Sequence, residues 1–216
     1  MIAPFEDPPA DCPLCPRLAA FRAENACAHP DFHNAPVASF GSLDARILVL
    51  GLAPGLKGAN ATGRPFTGDF AGDLLYATLL KQGLATGVYD RRPDDGLRLV
   101  DCRIANAVRC VPPQNKPTPK EIATCRPFLE RELAAMPALQ AVLALGRIAH
   151  ESLLRTVGAK LKDHPFAHGA RHDLSGPAGR PLMLFDSYHC SRYNTNTGRL
   201  TPEMFEAVLA DMRRSV

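Results

Sequence analysis

Residues 46–69 read RILVLGLAPGLKGANATGRPFTGD, and this stretch decides the fold class. Arg46–Leu50 is an apolar run of strand length, and a glycine-rich loop follows it at once. A buried strand running straight into such a loop marks the ligand-facing edge of an open α/β sheet. The loop lacks the G-x-x-x-x-G-K-[ST] spacing of a P-loop, and it carries no dinucleotide fingerprint. Gly51, Gly55, Gly58, Gly63 and Gly68 give a backbone that can pass close to a flat ligand or a phosphate. Phe66 stands inside this polar loop, either as an anchor packed into the core or as a stacking platform for a base. Asp69 closes the loop. It suits the N-cap of a helix over 70–81. The same position, at the positive end of a helix dipole, also suits a catalytic carboxylate. Asp73, one turn further in, reads as solvated.

Outward from this stretch the strand–helix alternation repeats. Strands are expected at 101–108, 141–145 and 181–185. Helices are expected at 13–26 (with Leu14, Leu18 and Phe21 on one face), 120–135, 147–157 and from Thr201–Pro202 to near 213. Four strand–helix units predict an α/β fold of three α/β/α layers around a central four-stranded parallel sheet. Ligands of such sheets bind at the carboxyl ends of the strands. The loops 51–69, 111–119 and 186–200 all follow strands and should converge there. The third carries His189, Ser191 and Asn194. His164, His168 and His172 are spaced four apart, but Pro165 and Gly169 interrupt any helix, so no metal site is expected among them.

The 216 residues suit one domain spanning 1–216, with 1–11 as a loose tail. An apolar share of 46% and a charged share of 22% exclude disordered, collagenous and coiled-coil classes. No apolar run approaches the roughly 18 residues of a membrane span. The N-terminal stretch is acidic and proline-rich with no apolar core, so no signal peptide and a cytoplasmic protein are expected. A net charge of +3 does not announce a nucleic-acid binder, although it leaves room for a local basic face.

Seven cysteines, an odd number, argue for a metal site rather than a disulfide framework. Cys12-x2-Cys15 lies in C-P-L-C-P, a turn that aims two thiolates at one point. Cys110 ends the apolar run RIANAVRC, and Cys125 falls in a helix. Four soft thiolates select zinc or an iron–sulfur cluster; the plainer alternative is two unrelated pairs of buried thiols. Cys27 and Cys102 read as structural, and Cys190 lies between His189 and Ser191.

Three segments, GLAPGLKGANATGRPFTGD, NAVRCVPPQNKPTP and YHCSRYNTNTGRLT, resemble the motifs of the uracil-DNA glycosylase superfamily, in the family's order. The branch they are most similar to is the iron–sulfur family 5, the B-type enzymes. The resemblance runs from Cys12 to about Phe205. It implies a single α/β/α domain and a [4Fe–4S] cluster on Cys12, Cys15, Cys110 and Cys125. It implies catalytic roles for Asp69, Asn115 and His189, and a base-stacking role for Phe66. Gly51, Ala53, Gly55, Asn106, Ser191 and Asn194 complete the expected base-binding set. Two positions depart from the family pattern: Ala61 stands where Arg is usual, which puts one polar or phosphate contact in doubt, and Cys190 where Pro or Val is common. Ala53 agrees with the B-type branch, whereas other branches place a polar residue near that point for the attacking water.

The implied activity is excision of uracil, and of other deaminated bases such as hypoxanthine, from DNA by base flipping, leaving an abasic site. His189 would donate to the developing oxyanion of the base, and Asp69 would orient water and favour the cationic sugar. Hydrolysis needs no electron transfer, so the cluster is assigned a structural role. Lys57, Arg64, Lys116, Arg192 and Arg199 are the expected phosphate contacts. Arg192 and Tyr193 fall where the family wedges a residue into the gap left by the flipped base. The chain is expected to act as a monomer. The competing reading is a non-catalytic nucleic-acid-binding protein carrying a cluster or zinc, which would keep the cysteines and basic loops but would not need Asp69 or His189. A relative that traps its abasic product covalently would need a basic insertion near the third motif, which is missing. A small-molecule hydrolase would leave the cysteines and the Phe66 loop unexplained.

Overall fold

A computed structural model describes residues 5–216. In chain order it contains α1 (Pro16–Ala28), β1 (Ile47–Gly51), the short α2 (Ala59–Thr62), α3 (Phe70–Lys81), and the two-residue strands β2 (Ala85–Thr86) and β3 (Arg98–Leu99). There follow β4 (Cys102–Asn106), α4 (Pro119–Ala134), β5 (Ala141–Leu145), α5 (Arg147–Thr156), β6 (Arg171–Ser175), β7 (Pro181–Ser187), the short α6 (Arg192–Asn196) and α7 (Pro202–Ser215). The main sheet runs β4-β1-β5-β7-β6. Its first four strands are parallel and are the four expected from the sequence. The fifth, β6, was not expected. It pairs antiparallel with β7 as a hairpin edge, and only Leu174 of its five residues is buried. Such a strand carries no apolar run to announce it.

β1, β4 and β5 are buried along their whole length, as parallel strands covered on both faces must be. Ile47, Val49, Ile104, Leu143 and Phe185 point to one core with α3 and α7. Leu48, Leu50, Ala105, Val142 and Leu184 point to the other with α4 and α5. A satellite core joins Leu18 of α1 to Val108, Cys110, Cys125 and Phe128. The chain reverses strand order between β1 and β5, and the loops after β1, β4 and β7 meet above that point, where such sheets bind their ligands.

Two N-terminal expectations change. α1 starts at Pro16 rather than residue 13, because proline is preorganised for the first helical position. Leu14 therefore lies outside the helix and is exposed, and the buried face consists of Leu18, Arg22 and Asn25. The described part of the tail is not loose. Asp7 accepts from the Ser39 amide at 3.2 Å and pairs with Arg109 at 3.1 Å. Residues 1–4 of that tail lie outside the described residues.

Candidate active site

The carboxyl edge of the sheet holds a cavity of about 410 Å³. Ala53, Gly55, Phe66, Asp69, Asn106, Asn115, His189, Ser191 and Arg192 all border it. Its floor is the end of β1 and β4. Gly51 is required there: a Cβ would stand 2.7 Å from Phe66 Cζ and collide with Asn106 Oδ1. The absence of a side chain lets the Phe66 ring and the Asn106 amide share that floor. Asn106 Oδ1 is buried and has no protein hydrogen-bond partner.

Phe66 is held in the left-handed region at φ 52°. Its carbonyl accepts from Tyr89 Oη at 3.2 Å, and the neighbouring Pro65 carbonyl accepts from Tyr76 Oη at 2.6 Å. The ring lies 5.9 Å from that of His189 at an interplanar angle of 29°. Phe66 is thus both buried and on the cavity wall.

Asp69 caps α3, its Oδ1 accepting from Gly72 N at 3.1 Å. Burial raises its pKa, and the Gly72 and Ala71 amides act against that rise. Its other oxygen faces Gly58 and Gly55. Asp73 is half-buried and pairs with Arg91 at 2.6 Å. Burial pushes the His189 imidazole down to about 4, so near pH 7 the ring is neutral. Cys190 is wholly buried, and burial with the nearby Asp69 charge keeps its thiol protonated. Gln114 and Asn115 both adopt left-handed backbone, at φ 55° and 56°.

Some expected contacts fall elsewhere. Asn194 does not border the base cavity; its Nδ2 donates to the His189 carbonyl at 2.8 Å and so braces the histidine loop. Ser191 does border the cavity and also caps α6. Arg64 is turned inward. Its side chain is 6% exposed and forked onto both oxygens of Asp95 at 2.8 Å, with Nε donating to Thr67 Oγ1 at 2.7 Å. It anchors the Phe66 loop from below. Lys57, Lys116, Arg192 and Arg199 are exposed. Arg192 lies over Phe70 and Arg199 over Tyr188. Arg147 was missed. It lies over Phe166 and shares with Arg199 a second cavity of about 300 Å³ on the other side of His189. It follows β5 at the same sheet edge, but the one-residue junction, Gly146, offers no loop to notice.

Cys12, Cys15, Cys110 and Cys125 line one small apolar pocket with Leu18, Val108 and Phe128. Arg22 Nη1 donates to Cys110 Sγ at 2.8 Å, and the Arg109 amide donates to Cys125 Sγ at 3.4 Å. Burial raises the thiol pKa of Cys15, Cys110 and Cys125, and the neighbouring cysteines add to the rise. Among the described residues, no three of these sulfurs lie within 4.8 Å of one another. A tetrahedral single zinc needs sulfurs roughly 3.8 Å apart. The donor set fits a larger, multi-iron group better. Ala53 packs on this cysteine core and borders the cavity, so the two sites share a wall.

The chain is 48% identical to a type-5 uracil-DNA glycosylase of Thermus thermophilus, over 94% of this chain and 93% of the relative. It is 41% identical to one of Mycobacterium bovis (94% and 77% covered) and 37% identical to one of Pyrobaculum aerophilum (92% and 86% covered). Residues 38–213 match the family model described as the uracil DNA glycosylase superfamily, and with these relatives that match makes the chain a member of that superfamily, on its type-5 side.

Proposed function

We propose that this chain is a monofunctional uracil-DNA glycosylase, hydrolysing the bond between a flipped uracil and its deoxyribose and leaving an abasic site. The observation that carries this reading is Asn106 Oδ1, a buried acceptor without a partner on the cavity floor. Leaving such a group unpaired costs about 1–3 kcal/mol. The N3–H of uracil supplies a donor for it, which the bare N3 of unprotonated cytosine does not. Phe66 offers a stacking face beside it.

In the reaction the C1′–N1 bond breaks, its electron pair leaves with N1, and water adds to C1′, its hydroxyl staying on the sugar and its proton ending, by way of solvent, on the released base. The sugar passes through a cation-like state while the base becomes an anion. Neutral His189 donates an N–H to the anion's oxygen. Asp69, fixed by the first amides of α3, orients the water and offsets the sugar's charge. Asn115 assists at the water or the base edge. Base extrusion costs a few kcal/mol, less for a mispaired uracil. Lys57, Lys116, Arg147, Arg192 and Arg199 supply phosphate contacts around the cavity mouth. Cys12, Cys15, Cys110 and Cys125 hold a [4Fe–4S] cluster. When bound, it supplies a covalent clamp between the N-terminal segment and the two flanks of the Asn115 loop. The chain works as a monomeric single domain in the cytoplasm; no helix among the described residues is long and apolar enough to cross a membrane.

Ala53 and Gly55 leave the cavity wide, and stacking on Phe66 tolerates any base. The substrate range therefore extends to hypoxanthine, released more slowly than uracil. The test is single-turnover incubation with oligonucleotides holding one lesion each, followed by alkaline cleavage. Strand scission at uracil is expected, faster opposite guanine than opposite adenine. No scission by folded protein would overturn the activity, and strict uracil specificity would overturn the breadth.

A further inference from the structure

We propose that His150, His172 and Asp186 form a second metal site, separate from the cysteines, that takes a borderline divalent cation such as zinc. One donor atom from each lies within 4.8 Å of the other two, the one such group of three among the described residues. His150 Nδ1 is 2.8 Å from Asp186 Oδ1, and His172 Nε2 is 3.2 Å from Oδ2. Zinc bound to nitrogen and oxygen at about 2.0–2.1 Å sets its ligands roughly 3.3 Å apart. The His172–Asp186 spacing matches that figure, and the His150–Asp186 spacing is about 0.5 Å shorter, at hydrogen-bond length.

The hydrogen bonds of His150 point the same way. Its Nε2 faces the His164 carbonyl at 2.9 Å, so that nitrogen carries the hydrogen. In a neutral imidazole the other nitrogen then holds a lone pair, and here it is aimed at a carboxylate oxygen. Two lone pairs facing each other at 2.8 Å need a positive charge between them, either a second ring proton or a metal ion. A ring N–H given to a backbone carbonyl, with the other nitrogen free, is the usual second-shell arrangement of a metal-ligating histidine. Asp186 is fully buried, and its only side-chain partners among the described residues are the two histidines. A carboxylate so far from water demands a counter-charge. Two imidazoles and one carboxylate favour zinc over magnesium or calcium. His164, whose ring centroid is 5.5 Å from that of His172, or a solvent molecule completes the set.

The site ties α5, β6 and β7 together three residues before His189. Asp186 is also fixed through its backbone, donating to Ala170 O at 2.9 Å and accepting from Gly169 N at 2.8 Å. No metal site was expected among His164, His168 and His172 because no helix joins them; the β6–β7 hairpin instead brings His172 alone to the Asp186 carboxylate.

Calorimetric titration of the cluster-loaded full chain with zinc should find one saturable ion per chain. His172→Gln, at a partly accessible ligand, should weaken that uptake at least about tenfold with the cluster absorbance unchanged. Cobalt(II) substitution of the wild-type chain gives a readout that needs no variant. A ligand-field spectrum without a sulfur-to-cobalt charge-transfer band supports the site. Absence of saturable uptake would mean that a proton alone bridges the three residues and would overturn the proposal. Uptake unchanged by His172→Gln, or a sulfur-to-cobalt band in place of the nitrogen–oxygen spectrum, would do the same.

Discussion

Gly58 lies flush against the Asp69 carboxyl: a Cβ at residue 58 would stand 2.8 Å from Asp69 Cγ and 3.0 Å from its Cβ. The glycine-rich loop and the helix cap are thus one unit. Gly58→Ala should displace the carboxylate from its place over Gly55. The expected result is a fall in single-turnover base release of at least about tenfold, the cost of a misplacement of well under 1 Å on the scale of ~10²-fold per ångström. Binding to uracil-containing duplex should stay within about twofold, since no phosphate contact changes. Asp69→Asn separates charge from fold. Asn caps helices as well as Asp, so melting temperature should hold while base release collapses.

His189→Ala should cost about 10²–10³ in base release, the worth of one oxyanion donor. The histidine also predicts a pH dependence. Its folded pKa, near 4, is below the unfolded value of about 6.5. Between these values the unfolded chain binds the proton and the folded chain does not. Stability should therefore rise with pH from 4 to 6.5, by at most about 3 kcal/mol from this group. Unfolding titrations of His189→Gln should show a shallower rise across that window.

Removing the Asp95 carboxylate leaves Arg64 buried and unpaired. Asp95→Ala should destabilise the fold by about 3–5 kcal/mol in urea unfolding. Arg64 and the amides of Asp90 and Leu97 hold this carboxyl far below the usual carboxylate range. A depressed folded pKa stabilises above the unfolded value of about 3.9 and is lost as pH falls through the folded one. The contribution should be full above about pH 3.9 and decline progressively below it, a slope that acid-unfolding curves of Asp95→Ala should lack.

Phosphate contacts are read by salt. Lys57→Ala, Arg147→Ala and Arg199→Ala should each reduce the slope of log affinity against log salt by about 0.9. Arg64→Lys should leave that slope unchanged and lower the melting temperature, because it cannot fork onto Asp95.

Iron and labile sulfide near four each per chain are expected of the purified, brown protein. Cys110→Ser should lose both, together with the packing of α1, since cluster energy is folding energy at this site. Colourless protein with stoichiometric zinc on the cysteines would refute the cluster.

The strands of the parallel core were legible because covered strands must be apolar throughout, as in AVLAL at 141–145. Asp69 was legible twice over, as a cap and as a motif residue. Arg64 was not: an arginine in a loop looks the same in sequence whether it meets phosphate or a buried Asp95, and the partner is 31 residues away. Asn194 was ambiguous for a related reason. A side chain that braces the carbonyl of His189 carries the same hydrogen-bonding groups as one that binds a base. β6 escaped because an edge strand with one buried residue lacks both apolar runs and alternation.

Cys12 and Cys15 meet Cys110 and Cys125 in one pocket across about a hundred residues of intervening chain. The ribosome releases the first pair long before the second. At about 5–20 residues per second, the early thiols wait roughly 5–20 s for their partners. By then β1 and β4 have emerged, but β5 and β7 have not. The cysteine pocket can therefore close around an unfinished sheet, and whatever fills it arrives at a nascent chain rather than at a folded protein. Oxidation of the early pair during that interval would block assembly before the active site exists.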